Sequence, residues 1–227
     1  MTISSNSKHR SRSVVGKCIT LSVGILIILC FTSCSLGIFP SGYRELTAKQ
    51  IEKAVANNEY ESDQQRALVE YALSLVGRVH YFWGGKYNAK GENPKWGEPA
   101  TVVSTGHSTS GKTLPLGLDC SGYVSWCFTQ IAPSVDWMYE NIGEGTWNQW
   151  FNTTEIDKGE LKLGDLAFAN VYPGSKSNHI GIVVGFLDNG DPIVAHCAPG
   201  PDNVVVSTCG NEFGYFRRVS ALCGGEV

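Results

Sequence analysis

Positive charge is scarce in this chain. Eighteen Lys and Arg stand against 21 Asp and Glu, and four of the cations, Lys8, Arg10, Arg12 and Lys17, fall in the first 34 residues, where there is no acid. Removing those four from a net charge of −3 leaves −7 on the remainder, a balance that argues against nucleic acid as a partner. Internal repeats and a second compositional module are also lacking. The 227 residues, 42% of them hydrophobic, leave room for one well-buried domain behind a short leader. Metal-ligand spacing is missing too: His80 and His107 stand in no zinc-like set. They read as surface or core histidines, and no metal or other cofactor is expected.

What is present begins with the leader. Its basic stretch, 8–17, precedes an uncharged apolar run, 19–31, of signal-peptide length. Phe31-Thr32-Ser33-Cys34 resembles a bacterial lipoprotein box, which would make Cys34 the lipidated N-terminus. Left uncleaved, uncharged 18–39 is about long enough to span a bilayer as a signal anchor. Either way the basic flank stays inside and the rest faces outward, tethered to the membrane or secreted. Residues 1–45 are therefore assigned to export signal or anchor, 46–61 to a short helix (47–57) and linker, and 62–227 to the folded domain.

Within that domain, Ser62 with Gln65 three residues on reads as a capping box. The helix it opens carries Leu68, Tyr71, Ala72, Leu75 and Val76 on one stripe and ends at Gly77. A second helix starts at Cys120, capped by Asp119, and ends before Pro133. Runs 166–168, 180–186, 193–197 and 204–207 read as strands, with Asp188-Asn189-Gly190 as a hairpin turn. Helices first and antiparallel strands afterwards predict an α+β domain in which the Cys120 helix packs on an antiparallel sheet.

Cys120 at a helix start is the main chemical signal. Unpaired N–H groups and the helix dipole favour thiolate over thiol, and a neighbouring imidazole can hold the pair ionised. His179 and His196 supply two imidazoles on consecutive strands. Gly181 and Val183 share the face of His179, and Val194 that of His196, so a hairpin register can bring the rings together. His179 would then be the base and His196 its orienter. Taken singly, a cysteine or an apolar-strand histidine is as readily a core residue.

Together with Tyr81-Phe82-Trp83-Gly84-Gly85, Asp119-Cys120-Ser121-Gly122, Leu163-Gly164-Asp165-Leu166, His179-Ile180-Gly181 and Ala195-His196, in that order, the chain resembles the NlpC family of papain-like cell-wall cysteine peptidases over roughly residues 62–219. The resemblance implies a papain-like fold and a catalytic triad of Cys120, His179 and His196. Tyr81 would lie beside the thiolate, and Asp119 and Ser121 would contact a free amine of the substrate. It also implies a monomeric, exported endopeptidase whose partners are peptidoglycan stem peptides, cleaved between D-isoglutamate and diaminopimelate or lysine. A related thiol amidase or acyltransferase, and a catalytically silent wall-binding module, are the alternatives.

Gly106-His107-Ser108-Thr109-Ser110-Gly111-Lys112-Thr113 matches the P-loop pattern letter for letter. A phosphate loop needs a helix launched from Lys112-Thr113, and Pro115 with Gly117 prevents one; the match is set aside. The stretch 86–118, rich in Gly, Ser, Thr and Lys, departs from the family as an insert and reads as a lid or groove wall. Trp137, Tyr139, Trp147, Trp150 and Phe151 read as core, with carbohydrate stacking as the lesser reading. Cys127, Cys197, Cys209 and Cys223 are core thiols or disulfide partners, Cys209–Cys223 being the pair to test first.

Overall fold

The computed structural model describes residues 42–169 and 178–222, which lie in one compact unit, Phe39–Val227. The leader through residue 41, Cys34 included, and Cys223 fall outside the described residues. Among the described residues no helix is long and apolar enough to cross a membrane.

Helix α1 (Ala48–Val55) starts from a full capping box between Thr47 and Gln50. Helix α2 (Asp63–Ser74) starts at Ser62, whose hydroxyl accepts from the Gln65 N–H. Here the predicted box closes on one side only, because the Gln65 side chain turns to the Glu61 N–H and the Leu163 carbonyl. Leu68, Val69, Ala72 and Leu75 are buried, while Tyr71, placed on the apolar stripe by its spacing, is 39% exposed. The stretch between α2 and the cysteine helix contains a small antiparallel hairpin, β1 (Pro99–Thr101) with β2 (Thr113–Pro115).

Helix α3 (Cys120–Ile131) is covered on all sides, every residue from Cys120 to Gln130 being buried. A helix apolar all round belongs inside a domain, and α3 lies between α2 and the sheet. The Tyr123 hydroxyl donates to the Ala72 carbonyl on α2, and each large apolar side chain on α3, such as Val124 and Phe128, contributes about 1.5–3 kcal/mol by leaving water. Extended Ala132, ahead of Pro133, ends it. Gly122 allows the preceding motif to dock: a Cβ there would sit 2.0 Å from the Gly85 carbonyl oxygen, which accepts the Asp119 N–H.

Helices α4 (Val135–Asn141) and α5 (Thr146–Phe151) follow, then strands β3 (Thr154–Ile156), β4 (Leu166–Ala169), β5 (His179–Phe186), β6 (Pro192–Ala198), β7 (Asn203–Thr208) and β8 (Tyr215–Arg218). They form a six-stranded antiparallel sheet in the order β3-β8-β4-β5-β6-β7. One face, with Phe168, Ile180, Ile182, Ala195 and Cys197, joins the helices in the main core; the other, with Ala167, Val183 and Val194, packs on Phe213 and Phe216. The expected α+β fold, a cysteine-bearing helix on an antiparallel sheet, is thus present.

Two sequence expectations change. Trp150 is core, packed edge-on against Phe168 at 5.2 Å and beneath Arg217, but Tyr139, Trp147 and Phe151 are exposed, the last two stacked on each other at 5.9 Å. The helices α4 and α5 are too short to bury every aromatic they carry. Nor is 86–118 wholly a lid: Lys90 donates to the Gln130 and Ala132 carbonyls at the C-terminus of α3, where a cation is favoured, and the Gly91 carbonyl accepts the Trp126 indole N–H. Its first third is a structural brace, and the β1–β2 hairpin is the part that stands apart.

Candidate active site

Asp119 shapes the thiol side of the site. Its Oδ1 accepts the Gly122 N–H at 2.7 Å, capping α3 so that Cys120 occupies the first helical position. The same oxygen accepts the Ser121 hydroxyl at 2.8 Å, and the Lys86 ammonium sits 2.5 Å from each carboxylate oxygen and 2.8 Å from Ser121 Oγ. Cys120 is buried, and its sulfur accepts from the backbone N–H groups of Ser121 and Ile180. The second contact brings the thiol to the start of β5, one residue from His179. Tyr81, 8% exposed, bridges in parallel to Leu118 just ahead of the helix, and its hydroxyl lies within the field of Cys120 and Asp119.

The histidine side is built by strand register. Ile182 pairs with Ala195 and Val183 with Val194, which sets Gly181 opposite His196. A Cβ on Gly181 would approach His196 Cβ to 2.9 Å and Val194 Cγ1 to 2.4 Å, so glycine is what leaves room for the rings. His179 Nε2 lies 2.8 Å from His196 Nδ1, and His196 Nε2 lies 2.9 Å from Ser207 Oγ. Tyr43, 4.8 Å from the His196 ring, and Phe213, 5.2 Å from it and 5.7 Å from His179, pack around them.

The end of this chain sets its direction. The Ser207 hydroxyl donates to the Thr208 carbonyl at 3.1 Å, and a carbonyl only accepts. Ser207 Oγ therefore accepts from His196 Nε2–H, leaving His196 Nδ1 bare to accept from His179 Nε2–H. His179 then carries no proton on Nδ1, the tautomer a base needs on that nitrogen. Sequence reasoning missed Ser207, although strand alternation places it two residues from Val205, the pairing partner of His196, and so on the same face.

Burial dominates the electrostatics. It pushes the Cys120 thiol up to about 12, with the Asp119 charge adding to the shift and Lys86 and the two N–H donors opposing it. It pulls His179 down to about 4, against a smaller upward pull from Asp119, and holds His196 well below the usual histidine range, helped by His179. Burial thus opposes charge on both the thiol and the imidazole, while the N–H donors and Lys86 favour the thiolate. Tyr81 is raised beyond its ordinary value, first by burial and then by Cys120 and Asp119.

The structure thus brings Cys120, Asp119, Ser121 and Tyr81 to the thiol side and pairs His179 with His196 at the adjoining strand start. Asp119 and Ser121 face Lys86 rather than an open subsite. Lys86 was not anticipated, since nothing marks a lysine in a polar stretch 33 residues from its partner. His107 is half-buried at the hairpin, stacked on Trp83 at 5.0 Å and 6.2 Å from Tyr81, which makes it part of the wall beside the site. Cys127, Cys197 and Cys209 are free buried thiols. Among the described residues no group of three or more His, Cys, Asp or Glu is placed to hold a metal ion.

Comparison with known proteins adds to this geometry. A model of the NlpC/P60 family matches residues 78–213. Over 77 residues the chain is 34% identical to a probable endopeptidase p60 of Listeria grayi, in an alignment covering 34% of this chain and 13% of that protein, so the chain spans a small part of that relative. Among solved structures it is similar to the peptidoglycan hydrolase RipB of Mycobacterium tuberculosis, at 21% identity and a TM-score of 0.46 over 77% of this chain and 68% of the other. It is also similar to RipD of Mycobacterium tuberculosis, a non-catalytic NlpC/p60 domain protein adapted to peptidoglycan binding, at 17% identity and a TM-score of 0.46 over 70% and 98%.

Proposed function

Because the chain belongs to the NlpC/P60 family, we propose that it is a cysteine endopeptidase acting on amide bonds of peptidoglycan stem peptides, between D-isoglutamate and diaminopimelate or lysine. The observation that carries the reading is the directed chain His179–His196–Ser207, which starts on the strand whose Ile180 N–H meets the sulfur of Cys120, at the first position of α3. A silent binding scaffold has no use for a tautomer held in this way.

In the reaction, His179 Nδ1 takes the Cys120 proton as the sulfur attacks the carbonyl carbon, and the imidazolium is shared toward His196. The Cys120 N–H, ahead of the intrahelical ladder, and the Tyr81 hydroxyl are the donors for the oxyanion. Collapse breaks the C–N bond as His179 returns the proton to the leaving amine. Water, deprotonated by His179, then hydrolyses the thioester and regenerates the thiol.

The leader, 1–45, would export the chain and tether it through lipidated Cys34 or a signal anchor, so that the domain meets the wall. The test is mass spectrometry of one purified stem peptide before and after incubation with the protein. Two fragments separated at the isoglutamyl bond, and none with Cys120→Ala, are expected; an intact peptide, or equal cleavage by the variant, would overturn the reading.

A further inference from the structure

Lys86 places a positive charge of the protein's own beside the nucleophile. Asp119 Oδ1 already accepts from Gly122, Ser121 and Lys86, and Oδ2 accepts from Lys86 as well. Oδ1 has no lone pair left for a further donor. The lysine is held there by its backbone: the Gly85 carbonyl accepts the Asp119 N–H, and the lysine stem lies over Gly122, 3.1 Å from where a Cβ would be. Its side chain is 22% exposed, so the ammonium lies at the wall of the site and not beneath it.

A carboxylate and a hydroxyl beside a nucleophilic cysteine form a receptor for an ammonium group, and here that receptor is filled from within. A second ammonium brought to Asp119 would find Oδ1 filled, Oδ2 already shared with Lys86, and a like charge at contact distance in a poorly hydrated site, where such repulsion is weakly screened. We propose that Lys86 is a specificity-determining residue that substitutes for a substrate amine. The acyl-donor segment lying against Asp119 is then uncharged: the preferred substrates are stem peptides whose N-terminus is engaged in an amide bond, not peptides with a free N-terminal ammonium. This rests on the peptidase reading and narrows its substrate class.

The test uses two stem peptides that differ only in acetylation of the N-terminus. With the wild-type protein at neutral pH, kcat/KM is expected to be at least tenfold higher for the acetylated peptide. The ratio should fall toward one as pH passes the ordinary α-amine value of about 8, where the competing charge disappears. The groups in the field of Lys86 are Asp119, Cys120 and Cys197, and Asp119 in turn faces Tyr81 and His179. These are common to both substrates and cancel in the ratio. Lys86→Met should shrink the ratio about tenfold by improving the free-amine peptide relative to the acetylated one.

Equal or better cleavage of the free-amine peptide by wild type, a ratio independent of pH, or a ratio unchanged in Lys86→Met would overturn the proposal. The wild-type comparison holds even if Lys86→Met does not fold. Calorimetric titration of Cys120→Ala with both peptides separates this inference from the peptidase reading. Preferential binding of the acetylated peptide without turnover by wild type would overturn the peptidase and keep the role of Lys86; cleavage with equal binding would do the reverse. Binding of neither peptide would overturn both.

Discussion

The two sides of the site are built on opposite electrostatic plans. The thiol side is polar and ionic: Asp119, Lys86 and Ser121 surround the start of α3 within hydrogen-bonding distance of one another. The histidine side is apolar and aromatic: Tyr43 and Phe213 pack on the rings, and their polar contacts run in single file to Ser207. The first arrangement balances charge around the nucleophile; the second keeps charge off the base. A base held neutral by dry packing is unprotonated over a wide pH range, at the cost of weaker basicity, and a hydrogen-bond file can orient it without adding charge.

The comparison breaks most completely at His179. If the histidine side supplies the base, His179→Ala should lower kcat by about three orders of magnitude or more, because no other imidazole occupies that position. The same variant should keep its fold, and Cys120 should remain open to labelling by a small thiol reagent at mildly alkaline pH, because the helix start and its N–H donors belong to the other side. Single-turnover kinetics and mass spectrometry of the labelled protein check both. Retained turnover would mean that the two sides do not cooperate in catalysis.

A second break is by pH. The folded value of His179, about 4, lies below its ordinary value of 6.5, so between those values the unfolded chain binds a proton that the folded chain does not. Stability present above pH 6.5 is therefore lost as pH falls toward 4, and His196, shifted in the same direction, adds to the loss. The full His179 shift corresponds to roughly 3 kcal/mol, and because the ring keeps an open edge about 2 kcal/mol is expected. Denaturant titrations at pH 7 and pH 4.5 measure it. Phe213→Ala, by admitting water to the histidine side, should flatten the pH dependence even as it lowers stability overall. An unchanged slope would show that aromatic packing is not what keeps the base neutral.

The file to Ser207 sharpens the comparison on a smaller scale. Ser207→Ala removes the acceptor that orients His196, which should lower kcat about tenfold with little change in KM, while Ser207→Thr, which keeps the hydroxyl, should recover most of it. His196→Ala should cost more than Ser207→Ala and less than His179→Ala. Equal rates for Ser207→Ala and Ser207→Thr would make Ser207 a packing residue only.

The same division governs what the sequence revealed. Caps, strand alternation and an Asp-Asn-Gly turn are local signals, so α3, the β5–β6 hairpin and the pairing of His179 with His196 could be read from neighbours in the chain. Lys86, Tyr43 and Phe213 reach the site from segments far apart in sequence, through contacts that no local pattern marks. Strand β8 was missed because Arg217 and Arg218 make it read as polar; in the structure Arg218 pairs with Asp165 through both Nε and a terminal nitrogen, and Arg217 lies over Trp150. Helix position is visible in sequence and burial is not, so the upward push of burial on the Cys120 thiol could not be read beforehand.

The smallest effect is expected where the sequence offers its most explicit motif. A phosphate-binding loop works by presenting successive N–H groups at the start of a helix, with its lysine reaching the phosphates. Here Thr113–Pro115 is a strand paired with Pro99–Thr101, the Lys112 N–H is spent on the Thr109 carbonyl, and the Gly111 N–H is spent on the Val102 carbonyl. These donors close the turn of a hairpin and face no anion. Lys112→Ala should therefore change kcat/KM on a stem peptide by less than about twofold, since the side chain belongs to neither side of the site. Deleting 99–115 while keeping the brace of Lys90 and Gly91 should raise KM without altering thiol labelling, because it takes away His107 and the wall it forms on Trp83. Calorimetry with ATP and magnesium is the control: micromolar binding that disappears in Lys112→Ala would show that the loop recognises phosphate despite its hairpin, and that the hairpin is more than a wall.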